Sequence, residues 1–477
     1  MGNYSRSPVT VSPGGSIHRA MYLNAIFERF AQKSPVTVMS RALMENALAP
    51  EALNNIFAEH AEHQYEKKLL FSSVVDVMGL VVCKIQPAVS AAYHAVSDTL
   101  PVSLTALYDK LNGIESGVTA ALVRHTGTRL GPVVEAMGAQ HQALLPGYRV
   151  KILDGNHLAS TERRLAVLQQ CWAGPLPGHA LVILDPLLML VTDMIPCEDA
   201  HAQERSLFPQ VLARVAPGEA WIGDRNFCTV SFLEGILQRQ SFFAIRQHGN
   251  FPIVSQGTIR NQGRCETGKL SEQSVTFLGE NGSPIKIRRV VVRLDDLTRD
   301  GDEEIAILTN VPARDASAAK IAELYRDRWT LEGLFQTLTQ TLNGEIPSLG
   351  YPKAALFAFG VALVSYNINS VVRAALRVKF GCEKVEQEVS GYYIANEIRA
   401  THAGMDVALD ESIWVPFQKM SPDELANKLL DYATHVRLSA FKRTPRGPKK
   451  PVPPRTKHTT KPHVSTARLL AEAGGKQ

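Results

Sequence analysis

The chain has 477 residues, 45% hydrophobic and 20% charged, with a formal net charge of +5. These proportions exclude a disordered or fibrous protein, and the length calls for roughly two to four structural units. The six cysteines (Cys83, Cys171, Cys197, Cys228, Cys265 and Cys382) form no C-x-x-C pair and no metal-site spacing, which suits small side chains in a reducing cytoplasm.

The opening sequence, MGNYSRSPVTVSPGGS, lacks the apolar stretch of a signal peptide, and Arg6 stands where a myristoylation pattern requires Ser or Thr. Two segments are strongly apolar. The run at 69–85 is interrupted by Asp76, and that at 354–365 falls short of the roughly 18 residues of a membrane span. Both read as buried helices, so a soluble protein without membrane contact is expected. Apolar residues recur at three- and four-residue steps up to about residue 145. There, AVSAAYHAV (88–96), a Pro-containing turn and LTALYDKLN (104–112) resemble a helix-turn-helix. Such a pair serves a bundle as readily as a DNA groove. Residues 1–145 are therefore expected to form a helical, DNA-binding region.

The texture changes at Tyr148. YRVKILDGNHLA, ALVILDP (180–186) and LMLVTDMIP (188–196) read as strands, followed by a helix over 204–215 and a strand AWIGD (220–224). A helix over 230–239 and a strand FFAIRQH (242–248) close the run. Three strands, helix, strand, helix, strand is the order of a ribonuclease H-like α/β core. Residues 250–313 then become β-rich, and a helix runs from about Ser317 past Leu338. The expected organisation is a core at 146–249 and 314–380, interrupted by a β-rich insertion at 250–313. A helical region at 381–440 and a basic tail at 441–477 follow.

The tail's stretch 442–461 carries Lys442, Arg443, Arg446, Lys449, Lys450, Arg455, Lys457 and Lys461 without an acid, and is Pro-rich. It reads as extended and disordered, fit for a polyanion or simply for solubility.

Asp154 ends the first expected strand and Asp224 the fourth. In the ribonuclease H topology these strands are neighbours, so both carboxylates reach one edge of the sheet. On a continuous helix Tyr325, Arg328, Glu332 and Thr339 fall within about 60° of one another, beside the stripe Leu324, Leu331, Leu334 and Leu338. Glu332 would then face the site rim with Arg328 one turn before it, set to meet a phosphate. Three converging carboxylates are what phosphoryl transfer with a pair of hard divalent cations requires. Asp185, Asp193, Asp199, Glu323 and Asp327 compete on chemistry alone. Arg225 and Asn226 serve either as DNA contacts or as shapers of the turn after Asp224. A turn-stabilising role suits His157 better than metal ligation.

The segments DGNHLA, CEDAHAQERSLF, IGDRNF and YRDRWTLEGLF resemble the DDE transposases of the insertion-sequence-four family, over roughly residues 41–440. The family signature of Tyr, two residues, Arg, three residues, Glu, six residues, Lys is met by Tyr325, Arg328 and Glu332, and departs at Thr339. The resemblance selects Glu332 as the third acid. It implies that Asp154, Asp224 and Glu332 hold two Mg²⁺ ions, with Mn²⁺ as a substitute, and that Tyr325 and Arg328 orient DNA phosphates. It further implies double-stranded DNA partners (the element's terminal inverted repeats and target DNA), a homodimer in the synaptic complex, and cut-and-paste strand transfer in the cytoplasm. Some members pass through a hairpin by flipping a base onto an aromatic side chain. Phe251 and Phe277 are the aromatics of the insertion here.

Overall fold

The computed structural model describes residues 25–298, 301–444 and 462–474. At its centre is a ten-stranded mixed sheet. In chain order the strands are β1 (Arg149–His157), the short off-sheet β2 (Gly174–Leu176), β3 (His179–Asp185), β4 (Leu190–Cys197), β5 (Glu219–Gly223) and β6 (Phe242–Arg246). In space the order is β4-β3-β1-β5-β6. β3 pairs antiparallel with both β4 and β1, while β1, β5 and β6 run parallel. Every residue of β3 is buried, as expected of a strand covered on both faces.

Alternate residues of these strands sort into two cores, as the two-residue period dictates. Ile152, Ile222 and Ala244 face one helical layer; Leu153, Trp221, Phe243 and Ile245 face the other. The first layer holds α1 (Ser116–Ala136), and the second holds α2 (Val230–Gln238), whose N-terminus is capped by the Thr229 side chain. Between β4 and β5 the single helix read over 204–215 is instead a 3₁₀ turn, Glu204–Leu207, followed by a short helix, Phe208–Leu212. Pro209 supplies no N–H for an earlier carbonyl, so the α-helix starts at this point.

The β-rich segment forms β7 (Ser255–Gln256), β8 (Arg260–Cys265), β9 (Gly268–Leu278), β10 (Pro284–Leu294) and β11 (Glu304–Thr309). It continues the same sheet: β11 pairs antiparallel with β6, Leu308 opposite Ile245. That pairing satisfies the backbone groups that β6 would otherwise present at an edge.

The helix read from Ser317 past Leu338 is broken into α3 (Ala318–Arg326) and α4 (Trp329–Gln340). At the break Arg328 N–H donates to the Tyr325 carbonyl and Leu331 N–H to the Arg328 carbonyl, both three residues back. Next comes α5 (Pro352–Phe380), 29 residues long. It is long and apolar enough to cross a membrane by length and composition, further than the 354–365 run suggested, but its apolar window is 94% buried inside the fold. Asn367 on α5 accepts from Val191 N–H at 2.7 Å and donates to Val191 C=O at 2.9 Å, docking the helix on β4. Gly127 of α1 lies over the same strand, where a Cβ would stand 2.7 Å from the Val191 carbonyl. Helices Pro35–Ala47, Phe71–Val82, Gly391–Ala408 and Pro422–Ala433 gather around α5 in one core, so the N- and C-terminal helical regions pack together.

The two short helices of the expected helix-turn-helix are present, at Val89–Ala95 and Leu104–Gly113. Residues 445–461 and 475–477 of the basic tail lie outside the described residues, but 462–474 are folded and not disordered. β12 (His463–Ser465) pairs parallel with β2, and α6 (Thr466–Gly474) follows, tied by Arg468 to Asp199 at 2.9 Å. Ser465 and Thr466 are buried there, a local apolar fit that the Pro- and Lys-rich run before it obscures.

Candidate functional site

The site lies where the parallel strands end. The β1–β5 pairing runs to Ile152 opposite Ile222, and two residues on along each chain stand Asp154 and Asp224. Asp154 alternates with the buried Ile152, so its side chain faces the layer where α4 packs against β1. Arg328, at the break between α3 and α4, reaches down to it. Its Nη1 donates to Asp154 Oδ2 at 2.6 Å and its Nη2 to Glu332 Oε1 at 2.8 Å. One guanidinium thus bridges two of the three selected acids. Asp154 and Arg328 side chains are 15% and 14% exposed, whereas Glu332 is 57% exposed at the rim.

Asp224 does two things. Its Oδ1 accepts from Asn226 N–H at 2.8 Å, capping the 3₁₀ turn Arg225–Phe227. Its charge also reaches Asp154. Burial raises the Asp154 carboxyl to about 6; Arg328 opposes the rise, while Asp224 and Glu332 add to it. Tyr325 is 8% exposed and lies within the fields of Arg328, Arg246 and Asp224, with burial pushing its phenol up. It is a support behind Arg328 more than a surface contact. Arg225 is exposed; Asn226, also exposed, donates to Glu204 at 3.3 Å. Thr339 is exposed on α4 and its hydroxyl bonds back to the Phe335 carbonyl at 3.2 Å.

The competing acids are occupied elsewhere. Asp185 is buried against Arg149 and Lys151, at 2.5 and 3.0 Å. Asp193 takes Arg124 and Arg214, Asp199 takes Arg468, and Glu323 takes Lys320. Asp327 is pushed up by burial and by Glu323. His157 ends β1 and stacks on His179 with ring centroids 4.9 Å apart. Phe251 and Phe277 are buried edge-on against one another at 5.2 Å, closed to a stacking base.

Two residues went unselected. Glu204 was quoted only within CEDAHAQERSLF, yet burial and then the Asp224 charge push it above the usual carboxylate range. Trp329, 59% exposed, directly follows Arg328.

Among the described residues no three acids, histidines or cysteines stand at ligating distance around one point. The donor chemistry nonetheless fits hard divalent cations. Carboxylates raise one another's proton affinity here, and among the described residues Arg328 is the cation that bridges two of them.

Residues 177–368 match the family described as Transposase DDE domain, a span that contains Asp224 and Glu332 and leaves Asp154 outside. The Sinorhizobium fredii (strain NBRC 101917 / NGR234) protein y4zB, named as a candidate transposase, is 27% identical over 174 residues. That match covers 34% of this chain and 47% of the relative, about half of the relative's length. Among solved structures, the piggyBac transposase synaptic complex with hairpin DNA aligns with a TM-score of 0.37 and 9% identity, over 89% of this chain and 87% of that one.

Proposed function

We propose that the protein is a DNA transposase of the insertion-sequence-four type, which binds the terminal inverted repeats of its element and cleaves and transfers their strands. The observation that carries this reading is the meeting of Asp154 and Glu332, from β1 and α4, on one guanidinium, with Asp224 close enough to raise Asp154. The Tyr325, Arg328 and Glu332 spacing supports the family, and the strand order β4-β3-β1-β5-β6 supports a ribonuclease H-like core. In this reading Asp154, Asp224 and Glu332 hold two divalent ions, Mg²⁺ or in its place Mn²⁺, which supply charge neutralisation at the attacking and leaving oxygens.

The chain's own residues do the rest. Arg328, released from the carboxylates, turns to the phosphate being cleaved, where its planar fork matches two oxygens. Tyr325 holds the base of that arginine, and exposed Arg225 meets the backbone beside it. Two copies of the chain bring two element ends together in the cytoplasm, on the nucleoid.

The test is cleavage of a labelled duplex carrying the element's own terminal repeat, with Mg²⁺ or Mn²⁺, by wild type and Glu332→Gln. Cutting at the repeat boundary that disappears in the variant supports the reading. Binding without cutting by the wild type favours a DNA-binding relic, and equal cutting by both proteins removes Glu332 from the site.

A further inference from the structure

We infer that the cavity between the N- and C-terminal helical regions, with Asp76 in its wall, is a binding site for a small organic cation with an apolar body. The inference does not depend on the function proposed above.

The cavity measures about 560 Å³, inside the range of roughly 300–1,000 Å³ typical of small-molecule sites. Helices Pro35–Ala47, Phe71–Val82, α5 and Gly391–Ala408 wall it, with Trp414 and Val415 beside them. The larger part of the wall is apolar, from residues such as Met44, Val77, Leu80, Ile368 and Ile398. Gly79 sits mid-helix in this wall, and a Cβ built on it meets nothing within 4 Å. Glycine weakens a helix relative to alanine, so the space is kept open against the preference of the helix itself.

The charges of the wall are unevenly matched. Arg41 pairs with Glu45 at 2.7 Å and reaches Asp406 at 4.0 Å, while His402 Nδ1 meets Asp406 Oδ2 at 2.9 Å. Gln418 Nε2 donates to Glu45 at 2.9 Å. Asp76, the acid that interrupts the apolar run at 69–85, makes neither a hydrogen bond nor an ion pair among the described residues. Its side chain is accessible, yet the chain encloses it almost completely, so what it is accessible to is the cavity. That enclosure raises its carboxyl to about 6; Arg41 opposes the rise, and Glu45 and Glu411 add to it. Arg41 is already committed to Glu45, and Glu411 brings a further negative charge. An enclosed carboxylate without a counter-ion is costly. An ammonium or guanidinium head seated on Asp76 removes that cost, while an apolar body covers the rest of the wall. A bare metal ion fits less well, because the described residues gather no three ligating side chains here.

The experiment is isothermal titration calorimetry of the full chain at pH 8, where Asp76 is ionised, with hexylamine as the probe and hexanol as its uncharged match. Hexylamine is expected to bind roughly tenfold or more tighter than hexanol, the least that a carboxylate–ammonium contact withdrawn from bulk water contributes. Asp76→Asn keeps the side chain's size and should reduce hexylamine to the affinity of hexanol. Gly79→Leu leaves Asp76 in place, fills the open space and should weaken both probes. Thermal melting checks that each variant is folded. Wild type that binds hexylamine no tighter than hexanol overturns the site, with no variant needed. Hexylamine binding that survives Asp76→Asn but not Gly79→Leu would show an apolar cavity in which Asp76 has no part, and overturns it as well.

Discussion

Replacing Asp154 by asparagine should stabilise the metal-free protein while abolishing its chemistry. The side chain is 15% exposed, and its carboxyl is raised from 3.8 to about 6, first by burial and then by Asp224 and Glu332. A folded-state pKa above the unfolded one means that the folded protein binds the proton more tightly. Folding stability therefore falls as pH rises from about 4 through about 6 and stays low above that. The shift of about two units corresponds to about 3 kcal/mol at pH 7 and about 0.5 kcal/mol at pH 4. Asparagine keeps the size and the bond to Gly155 N–H but carries no charge, so it removes that penalty. Urea denaturation in EDTA at pH 4, 5, 6 and 7 measures the difference between the two proteins. A gain that grows with pH across this window is the expected result. An Asp154→Asn protein that is less stable at pH 7, or displaced equally at every pH, would mean that Asp154 is an ordinary turn residue and would refute the electrostatic argument.

Three further outcomes follow from named contacts. Asn367→Leu strands the buried Val191 N–H and C=O and should cost about 2–4 kcal/mol in the same urea experiment, less whatever the new apolar contact returns; a loss within 0.5 kcal/mol would show that α5 docks by apolar contact alone. Thr339→Lys puts a cation on the exposed face of α4 two turns beyond Glu332. It should tighten DNA binding at low salt and steepen the salt dependence by about one phosphate contact in fluorescence anisotropy, whereas an unchanged slope places that face away from DNA. His179, fully buried, is lowered to about 4 by burial and by the neighbouring His157, so its contribution is lost as pH falls from about 6.5 toward 4. His179→Phe should spare the protein about 2 kcal/mol of acid destabilisation at pH 5, measured as the wild-type-minus-variant difference.

The parts legible in the sequence are those written in local pattern. Alternation through RVKILD and the apolar run ALVIL announce β1 and β3; Asp224 stands just past β5 as expected, whereas β1 continues beyond Asp154 to His157. What stayed hidden depends on distant partners. Nothing in YRDRWTLE breaks a helix, for it holds neither proline nor glycine. Arg328 sits in helical geometry at the break, yet it bonds across to Asp154, a strand residue 174 positions earlier. The pairing of β11 with β6 is likewise non-local, so the β-rich segment reads as an insertion and folds as an extension of the sheet.

The same long-range bond from Arg328 explains how the fold tolerates the acids it gathers. Asp224 and Glu332 raise the proton affinity of Asp154, and such carboxylates left uncompensated would repel one another. Arg328 relieves that repulsion from within the chain, by bridging Asp154 and Glu332. Asp224, partly exposed, is held instead by the turn it caps through Asn226 N–H. Arg328 spends its Nη1 on Asp154 and its Nη2 on Glu332, so turning that fork onto a phosphate gives up both bonds. In the proposed function, then, the arrival of DNA phosphate and of divalent cations must be coupled: phosphate draws Arg328 away, and its departure leaves Asp154 and Glu332 demanding the very charge that the cations bring.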